Sequence, residues 1–237
     1  MKKYVSFLLV LFVNLFLFLP AYAQQRKSVA VVLSGGGAKG VAHIGALKVI
    51  EEAGIPIDYI VGTSMGSIIG GLYSIGYTPC QLDSMVNHQN WSFLLSDRIS
   101  WEDQTMTERK NSETYILSVP LKKDLKANVF GGVIKGQNLG NLFSELTVGY
   151  HDSINFNKLP IPFACVSENI VNGEEVVFHN GVLATAMRAS MAIPGVFTPV
   201  RMGDEILVDG GMKNNFPTNI ARALGADVSI GVGVQMG

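Results

Sequence analysis

The sequence predicts one α/β domain, and three observations carry that expectation. Short β-branched runs alternate with helical stretches, glycine clusters mark the junctions between them, and apolar content is high. Of the 237 residues, 48% are hydrophobic and 26 are glycine. That composition suits one large core with many tight turns better than disorder.

The elements run in chain order. "SVAVVLS" is a β-branched run fit for a buried parallel strand, followed by "GGGAKG" and then by "VAHIGALKVIEEAG", helical in character with Gly54 as its stop. "IPIDYIVG" reads as a second strand and "SMGSIIGGLYSIGY" as a small, apolar, buried helix. Between about Thr78 and Tyr150 the pattern loosens: a polar helix near "CQLDSMVNHQ", the aromatic "NWSFLL", strands at "ETYILSV" and around "ANVFGG", and a helix at "QNLGNLFSEL". This middle third reads as an insertion or cap over the sheet. Then "IPFACVSENI" and "EEVVFHN" form a hairpin through Val171, Asn172 and Gly173, because Asn-Gly favours turns with positive φ. "GVLATAMRASMA" is helical up to Pro194, "EILVDGG" is a strand running into glycines, "NIARALGA" a helix and "DVSIGVGVQ" a strand.

The first 23 residues stand apart. Lys2 and Lys3 precede the apolar run "YVSFLLVLFVNLFLFLP", and "AYA" follows it, the pattern of a secretory signal peptide cleaved after Ala23. The rival reading, an uncleaved anchor, meets a run short for a bilayer that needs about 20 apolar residues. No cysteine follows the run, so a lipoprotein anchor is not indicated. The expected location is the periplasm, the outer membrane or the medium.

Cleavage would leave 16 basic against 19 acidic residues, a net charge of −3 in place of −1. Bulk charge therefore excludes nucleic acid as the partner. Cys80 and Cys165, both beside apolar neighbours, are read as buried thiols although export permits a bridge. No Cys/His cluster at zinc spacing and no calcium-loop pattern occurs, so neither a metal nor another cofactor is expected.

Two glycine-rich turns follow the first two strands. "GTSMG" places Ser64 between Gly62 and Gly66, the spacing of a sharp strand-to-helix turn that pushes its serine outward. The same pentapeptide also suits a helix start capped by Thr63 or Ser64. "GGGAKG", Gly35 to Gly40, satisfies G-x-G-x-x-G in the setting of a dinucleotide loop. A dinucleotide site wants an acid at the end of the second strand, however, and Asp58 lies at its start. Lys39 is followed by Gly40 and not by Ser or Thr, so this is no P-loop. Bare amides at a helix N-terminus can instead hold a transient oxyanion, and successive parallel βα units put this loop beside Ser64. Lys39 adds positive charge there, or is a solvated loop cation.

None of the histidines, His43, His88, His151 and His179, follows Asp209, so the Ser, Asp, His chain order of the α/β-hydrolases is missing. Asp209, in "LVDGG", remains as the base, expected at the same sheet edge as Ser64. Its bland reading is a turn former before Gly210 and Gly211.

In order, "GGGAKG", "GTSMG" and "DGG", with "ASMAIPGVFTPV" and "DGGMKNNFP", make the chain from about Ser28 onward resemble the patatin-like phospholipases. The resemblance implies a three-layer α/β/α fold with a mostly parallel central sheet, in a domain spanning 28–237. It implies a serine acyl hydrolase acting on lipid or phospholipid esters at a membrane surface. Ser64 would be the nucleophile, Asp209 the base of a Ser–Asp dyad, and the amides of Gly35, Gly36, Gly37 and Ala38 the oxyanion hole. Lys39, Gly40, Gly62, Gly66, Gly210 and Gly211 complete the motifs. Many plant members have arginine where Lys39 stands, so the positive charge is kept while the two-pronged guanidinium grip on an anion is not. With its leader, the chain is similar to the bacterial branch in which this domain precedes an outer-membrane β-barrel, and its stop at "VGVQMG" is expected to be a truncation. Phe93, Leu94 and Leu95 are read as core, with an acyl channel as the alternative. The competing class is a non-catalytic nucleotide- or lipid-binding α/β domain that keeps the glycine loop.

Overall fold

The computed structural model describes residues 26–99, 105–106 and 132–234. The signal segment 1–23, the strand at "ETYILSV" and, but for Gly132, the strand around "ANVFGG" lie outside the described residues.

The chain opens with β1 (Val29–Leu33), a 3₁₀ turn over Gly37–Val41 and α1 (Ala42–Glu52), then β2 (Tyr59–Thr63) and α2 (Met65–Ser74). Both units are strand–glycine turn–helix, as expected. Next come α3 (Pro79–His88), α4 (Trp91–Leu94) and α5 (Gln137–Leu146). The remainder is β3 (Ile154–Asn155), β4 (Phe163–Asn169), β5 (Glu174–Phe178), β6 (Asn180–Gly181), α6 (Leu183–Ser190), β7 (Val200–Met202), β8 (Glu205–Asp209), α7 (Thr218–Ala223) and β9 (Val228–Val232). The β4–β5 hairpin turns at Gly173, φ +70°, where Asn-Gly is expected to turn it.

The main sheet has the order β7-β8-β4-β2-β1-β9, with β5 also paired to β4. β9, β1, β2 and β4 run parallel, while β5, β8 and β7 are antiparallel to their neighbours. The central strands β1 and β2 and the first half of β4 are apolar on both faces, as burial on both faces requires. Val31, Leu33, Ile60, Phe163 and Cys165 face the large helical layer, and Ala30, Val32, Val61, Ala164 and Val166 face Ile220 and Ala221 of α7. This is a three-layer α/β/α arrangement. The described part of the middle third is less of a separate cap than expected, because Leu82, Leu94, Leu139 and Phe143 belong to the main core.

Cys165 is fully buried, but Cys80 is exposed at the start of α3, contrary to the expectation of two buried thiols. The preceding Pro79 is the buried residue of that first turn, and the helix points the Cys80 thiol outward.

The topology around β4 brings two strand tips together. Residues 163–166 of β4 pair with β2, in parallel, up to Val166 opposite Thr63. Along the other edge β4 pairs with β5 through residues 165–169, so β8, which pairs with residues 167–169, must occupy the edge that β2 vacates. Asp209, the last residue of β8, lies opposite Ser167, one position beyond the Thr63–Val166 pair. The two strands therefore approach from opposite directions, and their C-terminal tips meet on one edge of β4.

Candidate active site

At the tip of β2 the chain turns into α2 within one residue. A Cβ on Gly62 would run into the backbone of Gly66, and one on Gly66 into the Leu33 carbonyl of the neighbouring strand. The glycines are there because three backbone segments touch. Ser64 absorbs the bend: its φ of 52° makes it the only non-glycine residue with positive φ among the described residues. Such a conformation costs of order 1–3 kcal/mol and survives only where its surroundings enforce it.

Although Ser64 stands at the N-cap position of α2, its side chain makes no capping bond. Its hydroxyl donates to Asp209 Oδ2 at 2.6 Å, and Thr63 Oγ1 donates to the Asn214 carbonyl, so the capping reading of both residues fails. Asp209 is 6% exposed. Its Oδ1 accepts the Gly211 amide at 2.7 Å and its own amide donates to the Ala192 carbonyl at 2.9 Å. Burial pushes the Asp209 carboxyl above the ordinary aspartate range, while the bonds from Ser64 and Gly211 pull the other way. Asp209 shares Ser64's edge, as expected, and reaches it on an antiparallel strand arriving from the far side.

The glycine loop divides into a half tied to the segment after Asp209 and a half that borders a cavity. The Gly35 amide donates to the Asn215 carbonyl at 3.1 Å, and Asn215 Nδ2 donates back to the Gly35 carbonyl at 3.3 Å. Gly35 is thus a structural tie to the segment after Asp209, and its amide is not free to face a reacting atom. Gly36 packs against Val234, and Gly40 against the Met65 side chain. Gly37, φ +54°, has open space where a Cβ would stand. Gly37 and Ala38, with Ser64, line an apolar cavity of about 480 Å³, walled by residues such as Val41, Ile68, Trp91 and Phe197. A smaller apolar recess of about 70 Å³ adjoins it and shares residues such as Met65, Ile68, Trp91 and Met191 with its wall. Trp91 is fixed by its indole N–H on the Val86 carbonyl at 2.9 Å. Of the Phe93–Leu95 trio, Leu95 lines the cavity, Leu94 is buried, and Phe93 faces a separate surface recess. Lys39 is exposed and outside the cavity wall, as a solvated loop cation would be.

The motif glycines after Asp209 also have packing reasons: Gly210 abuts the Val166 carbonyl and Gly211 the Asn215 amide group. The histidines are engaged away from Ser64. His43 is buried with Nε2–H on the Ser34 carbonyl at 2.8 Å, and burial lowers its pKa. His88 and His151 bond to carbonyls of their own helical turns, and His179 lines a recess by α7.

Sequence reasoning missed Ser190 and Asn215. Ser190 is fully buried at the end of α6 and its Oγ accepts the Ser64 amide at 2.9 Å. A lone hydroxyl amid the small and apolar residues of "ASMA" was its one signal.

Strand, glycine elbow, strand-tip serine and adjoining buried aspartate define an α/β protein with a serine–aspartate pair at the sheet edge. The chain belongs to the patatin-like phospholipase family, whose family model matches residues 31–222. It is 31% identical over 220 residues to an uncharacterized NTE family protein of Mycobacterium tuberculosis, covering 91% of this chain and 52% of that protein. It is 32% identical over 202 residues to a patatin-like phospholipase domain-containing protein of Caenorhabditis elegans, covering 84% of this chain and 13% of the other. The chain thus spans about half, or much less, of the length of the relatives it matches. Its fold matches the crystal structure of VipD from Legionella pneumophila with a TM-score of 0.51 at 18% identity, covering 81% of this chain and 47% of that one.

Proposed function

We propose that this chain hydrolyses acyl ester bonds of lipids through a Ser64–Asp209 dyad. The observation that carries the reading is the 2.6 Å hydrogen bond from Ser64 Oγ to Asp209 Oδ2 at the wall of an apolar cavity. Ser64 Oγ attacks the ester carbonyl carbon as its proton passes to Asp209, and the carbonyl electron pair moves onto oxygen. The amides of Gly37 and Ala38 are the donors for that oxyanion, a narrower set than the four residues expected from sequence. Collapse of the intermediate expels the alcohol, which takes the proton, and leaves an acyl-serine. Water then attacks with Asp209 as base, releasing the fatty acid and restoring the serine. A carboxyl held above its usual range is the stronger base for this exchange.

The acyl chain occupies the cavity. Exposed apolar residues at its rim, Leu95, Ile193 and Val196, suit a membrane or lipid-aggregate surface. Export follows from Lys2, Lys3 and the "AYA" site, with a mature chain starting at Gln24.

The test is labelling of the chain from Gln24 with a fluorophosphonate, followed by peptide mapping and assay on a p-nitrophenyl ester. The adduct is expected on Ser64 together with ester turnover. An unlabelled, inactive folded chain favours the non-catalytic binding domain.

A further inference from the structure

Both members of the dyad hang by their backbones from one short segment, Ser190–Ala192, where α6 ends. Ser190 Oγ accepts the Ser64 amide at 2.9 Å and spends its single hydrogen on the Val166 carbonyl at 2.6 Å. Two residues on, the Ala192 carbonyl accepts the Asp209 amide at 2.9 Å. The direction of the relay is therefore fixed, from Ser64 N–H through the Ser190 hydroxyl to β4. Val166 is itself the β4 residue opposite Thr63, and its neighbour Ser167 is opposite Asp209. The hydroxyl thus ties the elbow to the strand against which β2 and β8 both end.

Ser64 needs that tie. It holds a positive φ without being glycine, and its amide precedes the hydrogen-bonded turns of α2, so within the buried elbow it must find a partner outside the helix. The other hydroxyls at the elbow do not provide one: Ser67 Oγ donates to the Ser64 carbonyl and Thr63 Oγ1 to the Asn214 carbonyl.

We propose that Ser190 is a positioning residue for acyl transfer, its hydroxyl holding the elbow so that Ser64 Oγ stays within hydrogen-bond reach of Asp209. The proposal rests on the reading of Ser64 and Asp209 as the reacting pair. Without the hydroxyl the Ser64 amide loses this acceptor and the Val166 carbonyl loses this donor, and the elbow is free to relax toward ordinary dihedrals. Misplacing a reacting atom by about 1 Å can cost about 10²-fold in rate.

The experiment compares the parent with Ser190→Ala, Ser190→Thr and Ser74→Ala. Ser74 is the control: it is equally buried and donates to the Gly70 carbonyl at 2.7 Å, at the far end of α2. Turnover of p-nitrophenyl butyrate, fluorophosphonate labelling rate and thermal unfolding are measured at a temperature where circular dichroism shows each chain folded. Ser190→Ala is expected to lower kcat and the labelling rate about 10- to 100-fold with KM within about twofold. Ser190→Thr, which keeps the hydroxyl, is expected to recover most of both, and Ser74→Ala to leave both near the parent. The proposal is overturned if folded Ser190→Ala keeps kcat within about twofold of the parent. It is equally overturned if Ser74→Ala loses as much turnover for the same loss of stability, or if folded Ser190→Thr is as slow as the alanine variant. A parent with neither turnover nor labelling refutes the dyad itself, which distinguishes the two failures.

Discussion

At the elbow after β2 and in the loop after β1 the chain makes the same manoeuvre, strand into helix through glycine, yet the glycines answer different needs. Gly62 and Gly66 are small because backbone presses on them, and the conformational burden falls on Ser64. In the loop Gly37 carries the positive φ itself and faces open space, with the cavity beside it. One turn uses glycine to let three backbone segments touch and puts its strain on a hydroxyl-bearing residue. The other uses glycine to hold a positive φ on a loop that lines the cavity. Similar sequence spacing therefore serves backbone contact in one case and, on the proposed function, oxyanion binding in the other.

The largest effect should come from the strained residue. Ser64→Ala is expected to abolish fluorophosphonate labelling and lower kcat by about 10⁴- to 10⁶-fold, with the fold retained because alanine tolerates that φ no worse than serine. Labelling that survives at another residue would remove the elbow from the chemistry. Asp209→Asn should cost about 10²- to 10⁴-fold in kcat, since a general base is lost while Gly211 keeps an acceptor.

Substituting the glycines themselves separates the two turns. In Gly66→Ala the new methyl meets the Leu33 carbonyl, and a loss of about 3 kcal/mol or more in stability is expected, read as a fall in melting temperature or in soluble yield. Gly37→Val should cost only about 1–2 kcal/mol for a left-handed residue, yet lower kcat about 10²- to 10³-fold as the amide shifts and is shielded. If the Gly37 variant unfolds like the Gly66 variant while each folded molecule keeps normal turnover, the distinction collapses.

The smallest effect is a matter of pH. The Asp209 carboxyl is raised mainly by burial, so the acid limb of kcat should lie above the ordinary aspartate pKa of about 3.9. For an acid whose folded pKa exceeds its unfolded value, ionisation favours the unfolded chain. Its stabilising contribution is then full below the unfolded pKa and is lost as pH rises through the folded one. Asp209→Asn should therefore flatten the stability profile in that window, a result that chemical denaturation at stepped pH would give. An unchanged profile would mean that the carboxyl titrates normally.

Much of the fold and of the dyad is legible in the chain because local demands leave local marks. Gly62, Gly66 and Gly210 sit where a Cβ has no room, and Ser64 and Asp209 each stand at a strand tip. The rest depends on where distant segments cross. Nothing near Gly35 announces that its amide belongs to Asn215, 180 residues away. Nothing near Ser190 announces that it serves Ser64. The antiparallel entry of β8 is hidden for the same reason: an acid at the tip of an apolar strand looks alike whichever way the strand is laid down.

That meeting of strand tips on β4 also sets an order of events during synthesis. The serine leaves the ribosome first, and Asp209, which accepts its hydrogen bond, follows 145 residues later. On the proposed dyad, the elbow has a hydroxyl with no base until β8 has docked. The proposed ester cleavage is then a property of the finished domain and of no folding intermediate that lacks β8, so a nascent chain without that strand would not yet carry it.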